Sequence, residues 1–359
     1  MKIRLLFALA GMAISFALPI PAQSGQIIKF DAPGAGNTGF FQGTFPLDIN
    51  AFGQAIGYFV DAQNLFHGFV RYADGRIETI DAPGAGTNPA FVSEGTIAYS
   101  INIEGRIVGR YLDSNDVYHG FLREPGGHFI TFDAPGAGTG FSQGTVADDI
   151  NSEGTILGNV YDSNGAFHGF LRSRSGAFTL FDVPKATVIP ASGSGLNAFG
   201  VSTGWYYLGT DFRTAHGYVR QSGGTITSFD PPGSTNTVPE SINLEGTIVG
   251  TFTDAGFANH GFIRSANGTI TTFDVPGSFN YTSAVGITPF GVITGSWADL
   301  RTQGSHGFVR YPNGAFSKFD VPGLGTGAET LPQAINFWGE IVGQFTDSDH
   351  VSHGFIRLP

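Results

Sequence analysis

The polar pair that recurs most often is an aspartate six residues ahead of a histidine. It occurs as Asp61/His67, Asp113/His119, Asp162/His168, Asp254/His260 and Asp347/His353, and with one extra residue as Asp299/His306. A carboxylate that orients an imidazole is the working unit of general acid–base catalysis. Copies spread through the whole chain cannot all address one substrate, so the pair is expected to fix a loop by a hydrogen bond. The same loops carry oxygen-rich runs: Asp113-Ser114-Asn115-Asp116, Asp162-Ser163-Asn164 and Asp347-Ser348-Asp349. Calcium takes about six to eight oxygens, and a loop site closes on a bidentate acid. These runs are short and lack the closing Glu, so they read as turns. Calcium is the one cation that would suit them, and no other metal or cofactor is expected.

A second set stands just before a recurrent Ile/Leu-Asn mark: Asp48, Tyr99, Ser100, Asp148, Asp149, Glu240 and Gln333. Its acids, Asp48, Asp148, Asp149 and Glu240, are the candidate rim of a pocket. Two carboxylates across a cleft could hydrolyse a glycoside; the plainer reading is a solvated acidic mouth. The third set follows the same mark, in turns of the form Asn/Thr-x-X-Gly, where X is Phe52, Glu104, Glu153, Phe199, Glu245, Phe290 and Trp338. Phe290, Trp338 and Phe52 would be neighbours if the ends of the chain meet. They would then offer an aromatic arc to a sugar or protein partner, unless the rings fold back on their own strands.

These residues are spaced by a repeat. His-Gly-aromatic occurs at His67, His119, His168, His216, His260, His306 and His353, and Asp-x-Pro at Asp31, Asp81, Asp133, Asp182, Asp230, Asp274 and Asp320. The Ile/Leu-Asn mark precedes each His and is degenerate only at Ile287-Thr288. Each repeat reads as four short strands, A to D. In the third, A ends at Ile150-Asn151, B covers residues 155–162, C 167–172 and D 177–182. Asp74-Gly75, Asn267-Gly268 and Asn313-Gly314 mark tight C–D hairpins.

A four-stranded sheet of this size cannot bury both faces alone, and stacking copies around an axis solves that. The first mature feature, residues 26–31, is a D strand without A, B or C. The last, residues 352–358, is a C strand without D. The expectation is therefore an all-β, seven-bladed β-propeller of four-stranded antiparallel blades. Its ring would be closed by the N-terminal strand D pairing with the C-terminal strand C. In such a fold the D–A connections share a face with the B–C loops, and the acids are expected to line a mouth there.

Composition narrows the function. The net charge is −11, from 18 Lys+Arg and 29 Asp+Glu. A chain so poor in cations has nothing to replace the counterions of a phosphate backbone, which excludes nucleic acid. The lack of cysteine removes disulfides, thiolate metal sites and a cysteine nucleophile. Lys2 and Arg4 followed by an apolar run to Ile20 form a signal peptide over residues 1–22, cleaved after Ala22 or Ser24. The mature domain, residues 23–359, then has 16 cations against 29 acids, a net charge of −13. It contains no further apolar span.

The pattern Ile-Asn-x-x-Gly-x-Ile-Val-Gly-x-Tyr/Phe-x-Asp-x5-His-Gly-Phe-x-Arg resembles the bacterial HAF-type extracellular repeat family, with His-Gly-Phe in place of His-Ala-Phe. The resemblance covers residues 26–359. It implies an exported repeat protein and brings no catalytic residues. The expected function is thus a secreted, extracellular or periplasmic, monomeric binding or structural module for a carbohydrate or protein. The alternative is an extracellular carbohydrate-active enzyme using axial carboxylates.

Overall fold

Alternating apolar residues broken every few positions by Gly-containing turns leave the chain one economical conformation, the short antiparallel strand. The computed structural model describes residues 25–38, 41–88, 94–186, 188–208, 214–301, 304–325 and 327–359; the expected signal peptide, residues 1–22, lies outside them. All regular structure among these residues is β. In one repeat the strands are Gly144–Ile150 (A), Ile156–Tyr161 (B), Phe167–Arg172 (C) and Phe178–Phe181 (D). They pair antiparallel in chain order. Gly154 and Gly176 close the A–B and C–D turns at φ of +78° and +94°, where a side chain would be strained.

Three such groups are separate four-stranded sheets, and the others join into one sixteen-stranded mixed sheet. The joins are single parallel pairs: Gly43 with Ser352, Gly95 with Phe66, and Gly144 with Tyr118. Each of these glycines lies against a carbonyl of the neighbouring strand, where a Cβ would collide. The first strand, Ile27–Phe30, pairs antiparallel with the last, Ser352–Arg357, from Ile27 opposite Arg357 to Phe30 opposite Gly354. Just beyond this ladder the Leu358 N–H donates to the Gln26 carbonyl at 2.8 Å.

The core lies between sheets, and the repeated tripeptide builds it. Phe69, Phe121, Phe170, Phe262, Phe308, Phe355 and the equivalent Tyr218 are fully buried. The glycine before each has no room for a side chain, because a strand D ring, or Ile80 over Gly68, lies on it. A Cβ on Gly354 would come within 2.6 Å of Phe30, and one on Gly120 within 2.7 Å of Phe132. The arginine two residues after the tripeptide aromatic reaches the preceding D strand. Arg71 stacks over Phe30, Arg172 over Phe132, Arg220 over Phe181, Arg264 over Phe229, Arg310 over Phe273 and Arg357 over Phe319, at 4.7 to 5.1 Å. Where strand D carries Ile80 instead of Phe, Arg123 pairs with Glu78. A buried guanidinium needs either a π face or a carboxylate.

The Ile/Leu-Asn mark ties one sheet to the next. The Asn50 Oδ1 accepts the N–H groups of Phe52 and Gln54, which shapes the A–B turn. Its Nδ2 donates to the Asn102 carbonyl in the next repeat. The same step runs Asn102 to Asn151, Asn151 to Asn197, Asn197 to Asn243, Asn243 to Thr288, and Asn336 to Asn50. Asn151→Ala removes three hydrogen bonds and leaves the buried Asn197 carbonyl without this donor. It is expected to cost about 1–3 kcal/mol, read as a lower urea midpoint at constant slope; an unchanged midpoint would show the belt to be idle.

Candidate functional site

The inner strands do not alternate to their ends. Each carries a bulge two residues before the strand's last residue, where one extra residue enters the ladder with strand B. The inserted residues are Leu47, Tyr99, Asp148, Ser194, Glu240, Val285 and Gln333. A bulge re-aims a side chain that strict alternation would turn away. As a result, adjacent residues such as Asp148 and Asp149 both reach one axial cavity of about 200 Å³. All of the sequence-predicted rim residues, Asp48, Tyr99, Ser100, Asp148, Asp149, Glu240 and Gln333, line it.

Their position along the axis differs from the expected one. Asp48 pairs with Ile56 and Ile49 with Ala55, so the acids sit against the A–B turns, not at the D–A connections. The mark itself stands where expected, at the end of strand A that leads into the A–B turn; the error lay in assigning the acids beside it to the opposite, D–A face.

The acids are not equivalent. Ser100 Oγ lies 2.7 Å from Asp149 Oδ1 and 3.1 Å from Asp48 Oδ2. One hydroxyl has one hydrogen, so both contacts are satisfied only when one carboxyl carries a proton and donates to Oγ. Burial pushes Asp48 up to about 6, against the Ile101 and Ile49 N–H groups and Ser100, with Asp149 adding repulsion. Burial raises Asp149 as well. Asp48 accepts from the Ile49 and Ile101 backbone, and Asp149 from Ile150 and Leu196. Each therefore clamps a neighbouring repeat. Asp148 accepts from Asn159 Nδ2 at 2.6 Å, and Tyr99 Oη from Arg110 Nε at 2.9 Å. Glu240 has no hydrogen-bond or ion-pair partner among the described residues, and burial alone pushes it up to about 7.

The aromatic arc lies at the A–B turns. Phe52, Phe290 and Trp338 are 66%, 61% and 65% exposed, so the rings do not fold back. Phe337, which sequence reading missed, joins them at 41% exposure. Its ring sits 5.1 Å from Phe290 and 4.8 Å from Trp338, edge to face in both cases. Trp338 Nε1 donates to the Ala51 carbonyl at 2.9 Å, which fixes the indole beside the turn that carries Phe52.

The histidines are held differently from the simple Asp-x5-His pair. His67 Nδ1 is 3.0 Å from Asp81 of the following Asp-x-Pro, and its Nε2 is 3.5 Å from Asp61. His119, His168, His260 and His353 repeat the double clamp, the last with Asp31 and Asp347. The Asp-x-Pro aspartate serves the histidine. Turn shaping falls to the other acid, whose Oδ1 takes the N–H groups of Gln63 and Leu65 at Asp61, and of Asn115 and Val117 at Asp113. In the runs considered for calcium these carboxylates are thus engaged by backbone, and no three acid or His side chains among the described residues are grouped to hold a metal ion.

The chain matches no protein-family model and no curated protein. Among solved structures it resembles a streptogramin B lyase, with a TM-score of 0.59 at 14% identity, covering 94% of this chain and 98% of that one. It also resembles the BP39L lectin of Burkholderia pseudomallei, with a TM-score of 0.54 at 10% identity, covering 93% and 96%. The fold is a β-propeller. No described helix of this propeller is long and apolar enough to cross a membrane.

Proposed function

We propose that the chain is an exported, monomeric, seven-bladed binding propeller whose A–B face takes carbohydrate on the arc Phe290–Phe337–Trp338–Phe52. Seven blades and a closed ring are supported by the strand paired across the two chain ends and by the Asn belt, which passes from Asn336 to Asn50. Export is supported by residues 1–22, and kinship with HAF-type repeat proteins by the motif itself.

The contiguous exposed arc carries the reading. A ring buries roughly 150–250 Å² when covered, and between two-fifths and two-thirds of each is open, so the arc offers on the order of 500 Å². That is short of the roughly 800 Å² a side that a stable protein interface needs. It matches the apolar C–H faces of a few sugar units. The lectin of the same fold sets the precedent for the ligand class but contributes no residues.

Trp338→Ala is expected to weaken glycan binding at least tenfold, about 1.4 kcal/mol, with melting lowered by no more than about 2–4 °C. A glycan array probed with the wild type and this variant decides it. An array that stays blank for the wild type, or looks the same for both, overturns the reading.

A further inference from the structure

We infer that the axial cavity is a binding site for a small organic ammonium compound, anchored through its ammonium group by Glu240. The inference is independent of the arc and of its ligand. The cavity of about 200 Å³ has carboxyl groups at Asp48, Asp148, Asp149 and Glu240, and no Lys, Arg or His in its wall. At roughly 30 Å³ for each water of the liquid, it has room for several waters or one small molecule. An anion would meet only like charge.

Glu240 decides the class of ligand. Asp48 and Asp149 are committed to Ser100 and to backbone N–H groups, and Asp148 to Asn159. Glu240 makes no such bond among the described residues. Its side chain is partly buried and lines the cavity, and burial favours its neutral form. An ionised carboxylate so placed is costly unless it is paired, so the site favours whatever brings a positive charge and hydrogen-bond donors.

A bare metal ion is a poor fit, because no three acid or His side chains among the described residues converge to replace its water. An ammonium needs one carboxylate and neutral acceptors. The hydroxyl of Ser241 and the amide of Gln333, both on the cavity wall, supply these. The bulge that inserts Glu240 between Pro239 and Ser241 turns it toward the axis.

Titration calorimetry of the mature full-length chain at pH 8 tests the site. The probes are ethanolamine, putrescine and glucosamine, with ethylene glycol, glucose and calcium chloride as controls. The expected result is binding of at least one ammonium probe and none of the neutral ones. Glu240→Gln should weaken it at least tenfold, and Glu240→Asp should weaken it less. Both variants should keep the wild-type circular dichroism spectrum, since Glu240 supports no neighbour. Trp338→Ala should bind the ammonium probe as the wild type does, which separates this site from the glycan arc. Heat from calcium or glucose equal to that from the amines, no binding of any amine, or full binding by Glu240→Gln would each overturn the assignment.

Discussion

Removing residues 25–31 is expected to abolish the single cooperative unfolding transition and leave a chain that associates. The segment is short, but what it covers is not. Its four-residue ladder satisfies one edge of Ser352–Arg357. Phe30 lies edge to face with Phe69 at 6.1 Å, under the Arg71 guanidinium and over Gly354. Ile27 packs with the cluster around Phe345 and Phe355. Asp31 holds Nδ1 of His353. Without the segment, Arg71 keeps its buried charge and loses its ring, and a C strand becomes an unpaired edge able to recruit a second copy. Calorimetry and size-exclusion chromatography of the truncated chain measure both effects. A synthetic peptide of residues 25–32 added in trans should restore the transition and the elution volume of the parent chain. Phe30→Ala, a milder lesion at a partly exposed ring, is expected to cost about 2–3 kcal/mol. A truncated chain that elutes like the parent and still melts cooperatively within a few degrees of it would refute the closing role of the segment.

The repeat was legible because its marks are structural necessities. Gly of His-Gly-Phe makes room for a ring, Asn bridges to the next repeat, and Asn-Gly or Asp-Gly closes hairpins. Each therefore recurs at a fixed place, and strand C at residues 167–172 was placed to the residue. The rim acids were legible as a group, but their geometry was not. Period-two alternation sends Asp148 and Asp149 to opposite faces, and only the bulge brings both to the axis. A bulge has no residue signature here, since the inserted positions hold Leu, Tyr, Asp, Ser, Glu, Val and Gln. The histidine partner was missed for a different reason. The acid six residues before His67 is nearer in sequence, whereas Asp81 stands fourteen residues after it. Strand D runs back beside strand C, with Gly68 opposite Ile80, and that register sets Asp81 next to the imidazole. The interval of fourteen holds from His67 through His306, including His216, whose repeat has Leu208 in place of the earlier acid. That constancy was the available signal. Phe337 escaped because its position varies freely, through Ala51, Ile103, Ser152, Ala198, Leu244 and Pro289.

Replacing Glu240 with Gln is expected to stabilise the protein above neutral pH and to remove part of its pH dependence. Glu240 is held at about 7 by burial, from an ordinary value of 4.5. Between those two values the folded chain keeps a proton that the unfolded chain has released. Stability from this group is therefore fully present below about pH 4.5 and is lost as pH rises to 7. At about 1.36 kcal/mol for each unit, the loss reaches on the order of 3 kcal/mol, with the water in the cavity reducing it. Asp48, raised to about 6, acts in the same sense over a more acid window. His67 is raised chiefly by its hydrogen bond to Asp81, and His353 by Asp347 and Asp31 against the effect of burial. Both also favour the folded state most below their unfolded value of 6.5. Asp113, Asp162, Asp254 and Asp347 are depressed and oppose this, but only as pH falls through their folded values, below the ordinary 3.8. The difference between wild-type and Glu240→Gln urea stabilities, taken from pH 4 to 8.5, isolates the single group. It should be near zero at pH 4 and grow in the variant's favour up to pH 7. A flat difference curve would mean that Glu240 is solvated like a surface acid. A cost of this size, borne by a residue that braces nothing, is the physical reason to look for a cation in the cavity.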